Sequence, residues 1–268
     1  MTSGQRPSTA AEEGRAWSAT AALWDEHWAR LADPARAVVL DQAAVGPSTR
    51  FLDMGCGTGE LCRLAAERGA TVSGIDAAEG MIERARARLP DADLRVGAIE
   101  NMPWDDDSFD VVTGFNSFQF AAERLDGFRE GRRVARPRGL VAVCVWGPRE
   151  GNDLQGLFDA VRALGPAEEE DPDPERPPAF GYPGVMEGLA ADAGLTVLSA
   201  GEVDVPYETR DVAQLEGALE FDLIQSGIAE TVDREEFRRA VERAAESRRR
   251  GDGSYLFHNT FRWLLAAA

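Results

Sequence analysis

The chain has 268 residues, a formal net charge of −18 and 44% hydrophobic residues, enough to bury one sizeable core carrying an elaboration. A field this negative repels phosphates, which argues against a nucleic acid or an anionic membrane as partner and favours a neutral or cationic small molecule. Every basic residue apart from two histidines is an arginine, so lysine Schiff-base chemistry and P-loop nucleotide hydrolysis are excluded.

Up to about Thr9 the sequence reads as disordered. Residues 10 to 32 then place Trp17, Leu23, Trp24, Trp28 and Leu31 at helical spacings, predicting an amphipathic helix or a pair of helices. His27 lies in this segment and is a candidate general base, with an exposed helix residue as the competing reading. Next comes Phe-Leu-Asp-Met-Gly-Cys-Gly-Thr-Gly over residues 51 to 59, an apolar strand ending at Asp53 and running into Gly55, Gly57 and Gly59. Glycine at every second position lets backbone approach a ligand closely, and a helix from about Thr58 would turn free N–H groups toward it. Asp53 adds a negative charge at the carboxyl end of the strand, where open α/β sheets bind ligands. That charge suits a cation better than a pyrophosphate, and the third glycine comes one residue early for the dinucleotide fingerprint.

Thr71 to Ile75 is a short β-rich run ending at Asp76, an acid placed to accept hydrogen bonds from ribose hydroxyls or to cap the helix starting near Ala78. Met81, one turn into that helix, either covers an adenine edge or belongs to the core. A third strand spans roughly Asp93 to Val96, and Phe109 to Phe115 reads as a central strand covered on both faces. A charged helix over Leu125 to Ala135, a Pro137-Arg138-Gly139 turn and a strand over Leu140 to Trp146 follow.

Together these motifs, over about residues 45 to 148, resemble the class I S-adenosylmethionine-dependent methyltransferases of the small-molecule, methyltransferase-11-like type. The resemblance implies a Rossmann-like, doubly wound, seven-stranded sheet, mostly parallel with the last strand antiparallel. It also implies S-adenosyl-L-methionine as cofactor, S-adenosyl-L-homocysteine as product and no metal. On this pattern Asp53, Gly55, Cys56, Gly57 and Gly59 serve the methionine end, Asp76 the ribose, and Met81 and the backbone of Ile99 the adenine. Ala98 stands where the family usually has an Asp that accepts from the adenine amino group; Glu100 is the substitute acceptor. Asn116, at the end of the fourth strand, faces the transferable methyl group. Trp24, Phe118, Gln119, Phe120, Trp146 and Tyr182 are the candidate acceptor pocket, with Phe180 beside them.

Beyond residue 150 the pattern predicts a helix over Asn152 to Leu164, an acidic proline-rich surface loop at Glu168 to Glu175, and a helix from Tyr182 to about Ala193. A strand over Leu195 to Val205 follows. Val212 to Ile224 and Arg234 to Arg249 have helical periodicity, and Ser254 to Leu265 reads as the final strand, with His258 structural. The organisation expected is N-terminal lid helices over 1–45, a cofactor-binding core over 46–205, a helical cap over 206–251 and the final core strand over 252–268. Cys56, Cys62 and Cys144 lack the spacing of a zinc site and read as structural thiols. With no bilayer-length apolar run and no signal peptide, the expectation is a cytoplasmic monomer or homodimer. The leading function is methyl transfer to a neutral or cationic small molecule at O, N or C in bacterial specialised metabolism. The alternatives are a cofactor-binding protein of the same fold that catalyses a cyclisation or rearrangement or only binds, and a nicotinamide-dependent dehydrogenase, which Asp53 and the glycine spacing disfavour.

Overall fold

The computed structural model describes residues 10–166 and 179–268. The disorder expected up to Thr9 and the acidic loop expected at Glu168 to Glu175 lie outside the described residues.

The chain begins with α1 (Ala10–Leu23), a π-helical turn over Trp24–Trp28 and α2 (Asp33–Gln42), the last opened by proline in its first turn. The helix or pair of helices expected over residues 10 to 32 is one α-helix ending in a π-helical turn, with the next helix starting at Asp33. The Ala29 amide bonds back five residues to the Trp24 carbonyl, which re-aims side chains that an unbroken helix would have stacked. Then follow β1 (Arg50–Met54), α3 (Glu60–Glu67), β2 (Thr71–Asp76), α4 (Glu79–Arg88), β3 (Asp93–Val96) and β4 (Phe109–Phe115). After these come α5 (Asp126–Val134), β5 (Ala135–Trp146), α6 (Leu154–Arg162), α7 (Val185–Asp192) and β6 (Thr196–Asp204). The Pro137-Arg138-Gly139 turn sits inside β5 as a bulge, because pairing with β4 jumps from Phe109–Ala135 to Val111–Leu140 and Arg138 takes a φ of 65°.

The C-terminal third contains β7 (Tyr207–Thr209), α8 (Val212–Gln225), α9 (Arg234–Ala245), β8 (Tyr255–Phe257) and β9 (Thr260–Ala267). Asp211 and Asp233 each accept an amide hydrogen bond at 2.9 Å three residues on, fixing the starts of α8 and α9. Seven strands form one sheet in the order β3-β2-β1-β4-β5-β9-β6, parallel from β3 to β5, with β9 antiparallel to both neighbours. Apolar clusters pack on both faces of that sheet, and a third lies under α6, α8 and α9.

The predicted final strand over Ser254 to Leu265 is two strands. β8 pairs with β7 in a separate two-stranded sheet, and only β9 enters the main one. The break is made by Asn259, fully buried, whose side chain accepts from the Leu154 amide at 3.2 Å and donates to the Val205 carbonyl at 3.3 Å. Those bonds replace ladder partners and let the backbone leave one sheet for the other. The cap is therefore not purely helical.

Candidate active site

Between the lid, the carboxyl ends of β1, β2 and β4, and the cap helices lies a cavity of about 360 Å³. Gly55, Gly57 and Gly59 all have positive φ, at 75°, 55° and 88°. Their reasons differ. A Cβ on Gly55 would stand 2.3 Å from that of Ser117, and one on Gly59 would stand 3.1 Å from Ala85, whereas one on Gly57 would meet no protein atom within 4 Å. Gly55 and Gly57 line the cavity; Gly59 lies behind it, where α3 meets α4.

The first three amides of the turn are spent within the protein. Gly55 and Cys56 donate to the Ile75 carbonyl at 2.7 and 2.9 Å, and Gly57 donates to Asp76 at 2.8 Å. The helix expected from Thr58 starts only at Glu60. With those donors spent, what the strand tips present to the cavity is carboxylate, which serves a cation and opposes a phosphate. Asp53 is buried and accepts from the Thr113 hydroxyl at 2.7 Å; burial pushes its pKa up to about 7, against the pull of that bond and of Arg36. Asp76 accepts from the amides of Gly57 and Ala78; burial raises its pKa while those two bonds lower it. The Cys56 and Cys62 thiols are both raised, Cys56 through its bond with Cys62 and burial and Cys62 by burial, so neither serves as a nucleophile.

Met81, Ala98, Ile99 and Glu100 line the same cavity. Glu100 is held there because one of its oxygens accepts the Ala122 amide at 2.9 Å. Asn116, at φ 52°, also lines it, its side-chain oxygen accepting from the Trp146 amide at 3.1 Å. The Ser117 hydroxyl, buried at the same wall, has no hydrogen-bond partner among the described residues.

Of the residues expected at the acceptor pocket, Trp24, Gln119, Phe120 and Trp146 line the cavity. Three expected residues lie elsewhere. Phe118 is fully buried in the core, edge-on to Phe128 at 5.0 Å between centroids, because Gly114 and Gly127 leave room for its ring. Phe180 stacks beyond it on Phe128. Tyr182 turns away, its hydroxyl donating to Glu150 at 3.1 Å. His27 is not on the cavity wall either; its ring packs 3.3 Å from where a Cβ on Gly217 of α8 would stand. The candidate general base is therefore corrected to a lid residue seated against the cap. His258 pairs with exposed Asp204 at 3.7 Å.

Several cavity residues carry no motif: Arg36 from α2, Gln155, Phe158 and Arg162 from α6, and Phe221 and Asp222 from α8. The Arg36 guanidinium is buried, donates to the Ala29 carbonyl and to Asp33, lies over the Phe115 ring and keeps an unpartnered Nε. The pattern Asp33-Pro34 with Arg36 was visible in the sequence, but only the packing of α2 on β5, β6 and β9 brings that arginine over Phe115 at the end of β4. The roof is aromatic: Trp17 lies 5.4 Å from Trp24, 6.0 Å from Phe120 and 5.3 Å from Phe221.

A doubly wound sheet with acids at two adjacent strand tips and a glycine turn between them places a ligand crevice at the carboxyl ends of its strands. Residues 52–143 match the methyltransferase domain family, and over this segment the chain resembles the class I S-adenosylmethionine-dependent methyltransferases, whose cofactor is S-adenosylmethionine. It is 28% identical over 187 residues to an uncharacterised protein of Mycobacterium tuberculosis, a match covering 68% of this chain and 66% of that one. It is 36% identical over 131 residues to the 27-O-demethylrifamycin SV methyltransferase of Amycolatopsis mediterranei, covering 45% and 48%. The chain thus spans just under two thirds of the first relative and about half of the second. Among solved structures it shares its fold with the 4+2 cyclase SpnF, at a TM-score of 0.58 and 18% identity, covering 94% and 95%. The cavity fits the cofactor: the open space over Gly57, the unpaired Ser117 hydroxyl and Arg36 Nε, and the carboxylates of Asp53 and Asp76 supply room, polar partners and charge for a cationic amino-acid nucleoside.

Proposed function

We propose that the protein methylates a small, largely apolar molecule in bacterial specialised metabolism, with S-adenosylmethionine as donor. One observation carries this: the strand-tip acids and the glycine turn open into the same cavity as Trp24, Phe120, Trp146, Phe158 and Phe221, so a nucleoside and an aromatic-sized acceptor share a single chamber. When bound, S-adenosylmethionine supplies a methyl group on a sulfonium, ready for in-line displacement with a neutral thioether as leaving group.

The chain's own work is positioning, which supplies much of the rate in such displacements. In this reading Asp76 and Glu100 hold the nucleoside, Asp53 faces the cationic methionine end, and the Arg36 Nε takes its carboxylate. The aromatic roof keeps water from the sulfonium, and ring faces attract such a cation. Neither histidine lines the cavity, and this reading assigns no histidine base. Incubation with methyl-labelled cofactor and a panel of apolar acceptors tests the reading: label must pass to the acceptor with one S-adenosylhomocysteine formed per methyl transferred.

A second reading has a specific basis in Ala98 and in the fold shared with a cyclase: the cofactor is held while an acceptor is rearranged without methyl transfer. Product formed from a candidate substrate with no cofactor consumed would favour it.

A further inference from the structure

Asp222 lies on α8, on the cap side of the cavity, and is 7% exposed. Its Oδ1 meets Arg162 Nη2 at 3.5 Å, the long end of a hydrogen bond, and its Oδ2 is buried with no partner. The Arg162 side chain is 50% exposed, so water shares its charge. A carboxylate taken out of water with an open oxygen is costly unless something enters to pair with it. Burial accordingly raises its pKa, with Arg162 opposing and Asp159 adding to the rise.

The rest of the cavity that Asp222 lines points to the entrant. Trp24 and Phe221 lie 5.7 Å apart between centroids, Trp28 and Phe158 5.7 Å apart, and all four rings line the cavity with Asp222. Ring faces attract cations and have nothing to give an anion. A net charge of −18 draws a cation toward the same place. A neutral hydroxyl would satisfy the oxygen's hydrogen bonding and leave its charge unpaired.

We propose that Asp222 receives a protonated basic nitrogen of the methyl acceptor, which makes the acceptor an aryl-alkyl amine. This rests on the methyltransferase reading above. The nitrogen is an anchor: it keeps its proton, and the atom that is methylated lies elsewhere on the acceptor. Arg162 competes for the same carboxylate from the rim and so weakens the anchor.

The test titrates tryptamine and its neutral isostere tryptophol into the protein loaded with S-adenosylhomocysteine, by calorimetry. Tryptamine is expected to bind the unmodified protein at least tenfold more tightly than tryptophol. Asp222→Asn erases that preference, and Arg162→Gln enlarges it. A merely structural Asp222 would not produce these opposite signs. Equal binding of the two probes, no tryptamine binding at millimolar concentration, or a preference that survives Asp222→Asn overturns the proposal. If Asp222→Asn does not fold, Arg162→Gln carries the test alone: a larger preference supports the proposal and an unchanged one overturns it. Titration of S-adenosylhomocysteine by itself separates the two levels, because its failure to bind sinks the methyltransferase reading, while its binding without amine preference sinks only this one.

Discussion

The Asp76 carboxylate holds Gly57 in place: one oxygen accepts the Gly57 amide at 2.8 Å and the other accepts the Ala78 amide at 2.9 Å. A single acid at the tip of β2 thus ties the glycine turn to the start of α4 and still has lone pairs left for a ribose. The bond to Ala78 steadies the start of α4, and the remaining lone pairs are what the proposed ribose contact would use.

Asp76→Ala is therefore expected to weaken cofactor binding on two counts, by losing the ribose acceptor and by releasing the turn. Bonds to a charged group contribute about 1.5–3 kcal/mol each, so the dissociation constant should rise about a hundredfold or more. Asp76→Asn keeps the shape and one acceptor oxygen and should fall between. Calorimetry with S-adenosylhomocysteine checks the order; an Asp76→Ala variant that binds like the unmodified protein contradicts it.

The first and second glycines of the turn should fail in different ways. Gly55→Ala puts a methyl 2.3 Å from Ser117 Cβ at a φ of 75°, a clash added to backbone strain of about 1–3 kcal/mol, and is expected to lower the melting temperature sharply. Ser117→Gly in the same chain removes the clash and should restore part of that loss. Gly57→Ala meets no protein atom within 4 Å and adds only the strain of a side chain at φ 55°, so its fold should survive better than that of Gly55→Ala while the methyl occupies ligand space and binding drops. Melting curves with and without S-adenosylhomocysteine separate the two patterns.

Most of the core strands were legible because each is a short apolar run ended by glycine, acid or turn residues, and β2, β3 and β4 fall where that pattern puts them. The strand tips were legible for the same reason, since Asp53 and Asp76 end such runs. The acceptor side was not. Phe118 and Phe120 look alike in sequence, yet Gly114 and Gly127 draw one ring into the core while Phe120 packs against Trp17. Asp222 sits in a helix whose periodicity says only that one face is buried, and which face meets the cavity depends on α6 and the lid, far away in the chain. The break at Asn259 was hidden because strand propensity runs through it and only its side-chain bonds to Leu154 and Val205 reveal the crossing.

Asp53 gives the site a pH dependence of defined sign. Its pKa in the folded protein is raised to about 7, chiefly by burial, with the Thr113 bond and Arg36 lowering it and Asp76 and Glu60 raising it. A raised carboxyl contributes stability that is complete below its ordinary value of 3.8 and is lost as pH rises through about 7. The ligand-free protein should therefore lose stability across that window. A bound cation favours the ionised form, so cofactor affinity should rise about tenfold per pH unit up to about 7 and then level off. Asp53→Asn is expected to flatten both curves, and a binding profile that keeps its slope in that variant would assign the titration to another group.

The lid is fastened to both layers beneath it. On the core side Asp25 pairs with Arg88 at 2.6 Å and with Arg84 at 3.3 Å. On the cap side Gln225 Nε2 donates to Thr20 Oγ1 at 2.9 Å and Trp28 Nε1 donates to the Ala218 carbonyl at 2.9 Å. The Trp28 bond is buried, and although the Ala218 carbonyl keeps its helical partner within α8, Trp28→Phe loses that bond at a cost of about 1 kcal/mol and should lower stability. The Gln225 bond is only partly buried and contributes about 1 kcal/mol, so Gln225→Ala should leave the melting temperature nearly unchanged. Its effect belongs to closure instead. If the lid must seat on the cap to enclose the cofactor, weakening that seat shifts the closed fraction, and KM for S-adenosylmethionine should rise about fivefold with kcat little altered. Thr20→Val removes the same bond from the other side and should reproduce the shift, while the double variant should add nothing further. Additive effects of the two substitutions would show that each residue acts elsewhere and that the lid is held to the cap by its other contacts with α8, from Trp28, Trp17 and Trp24.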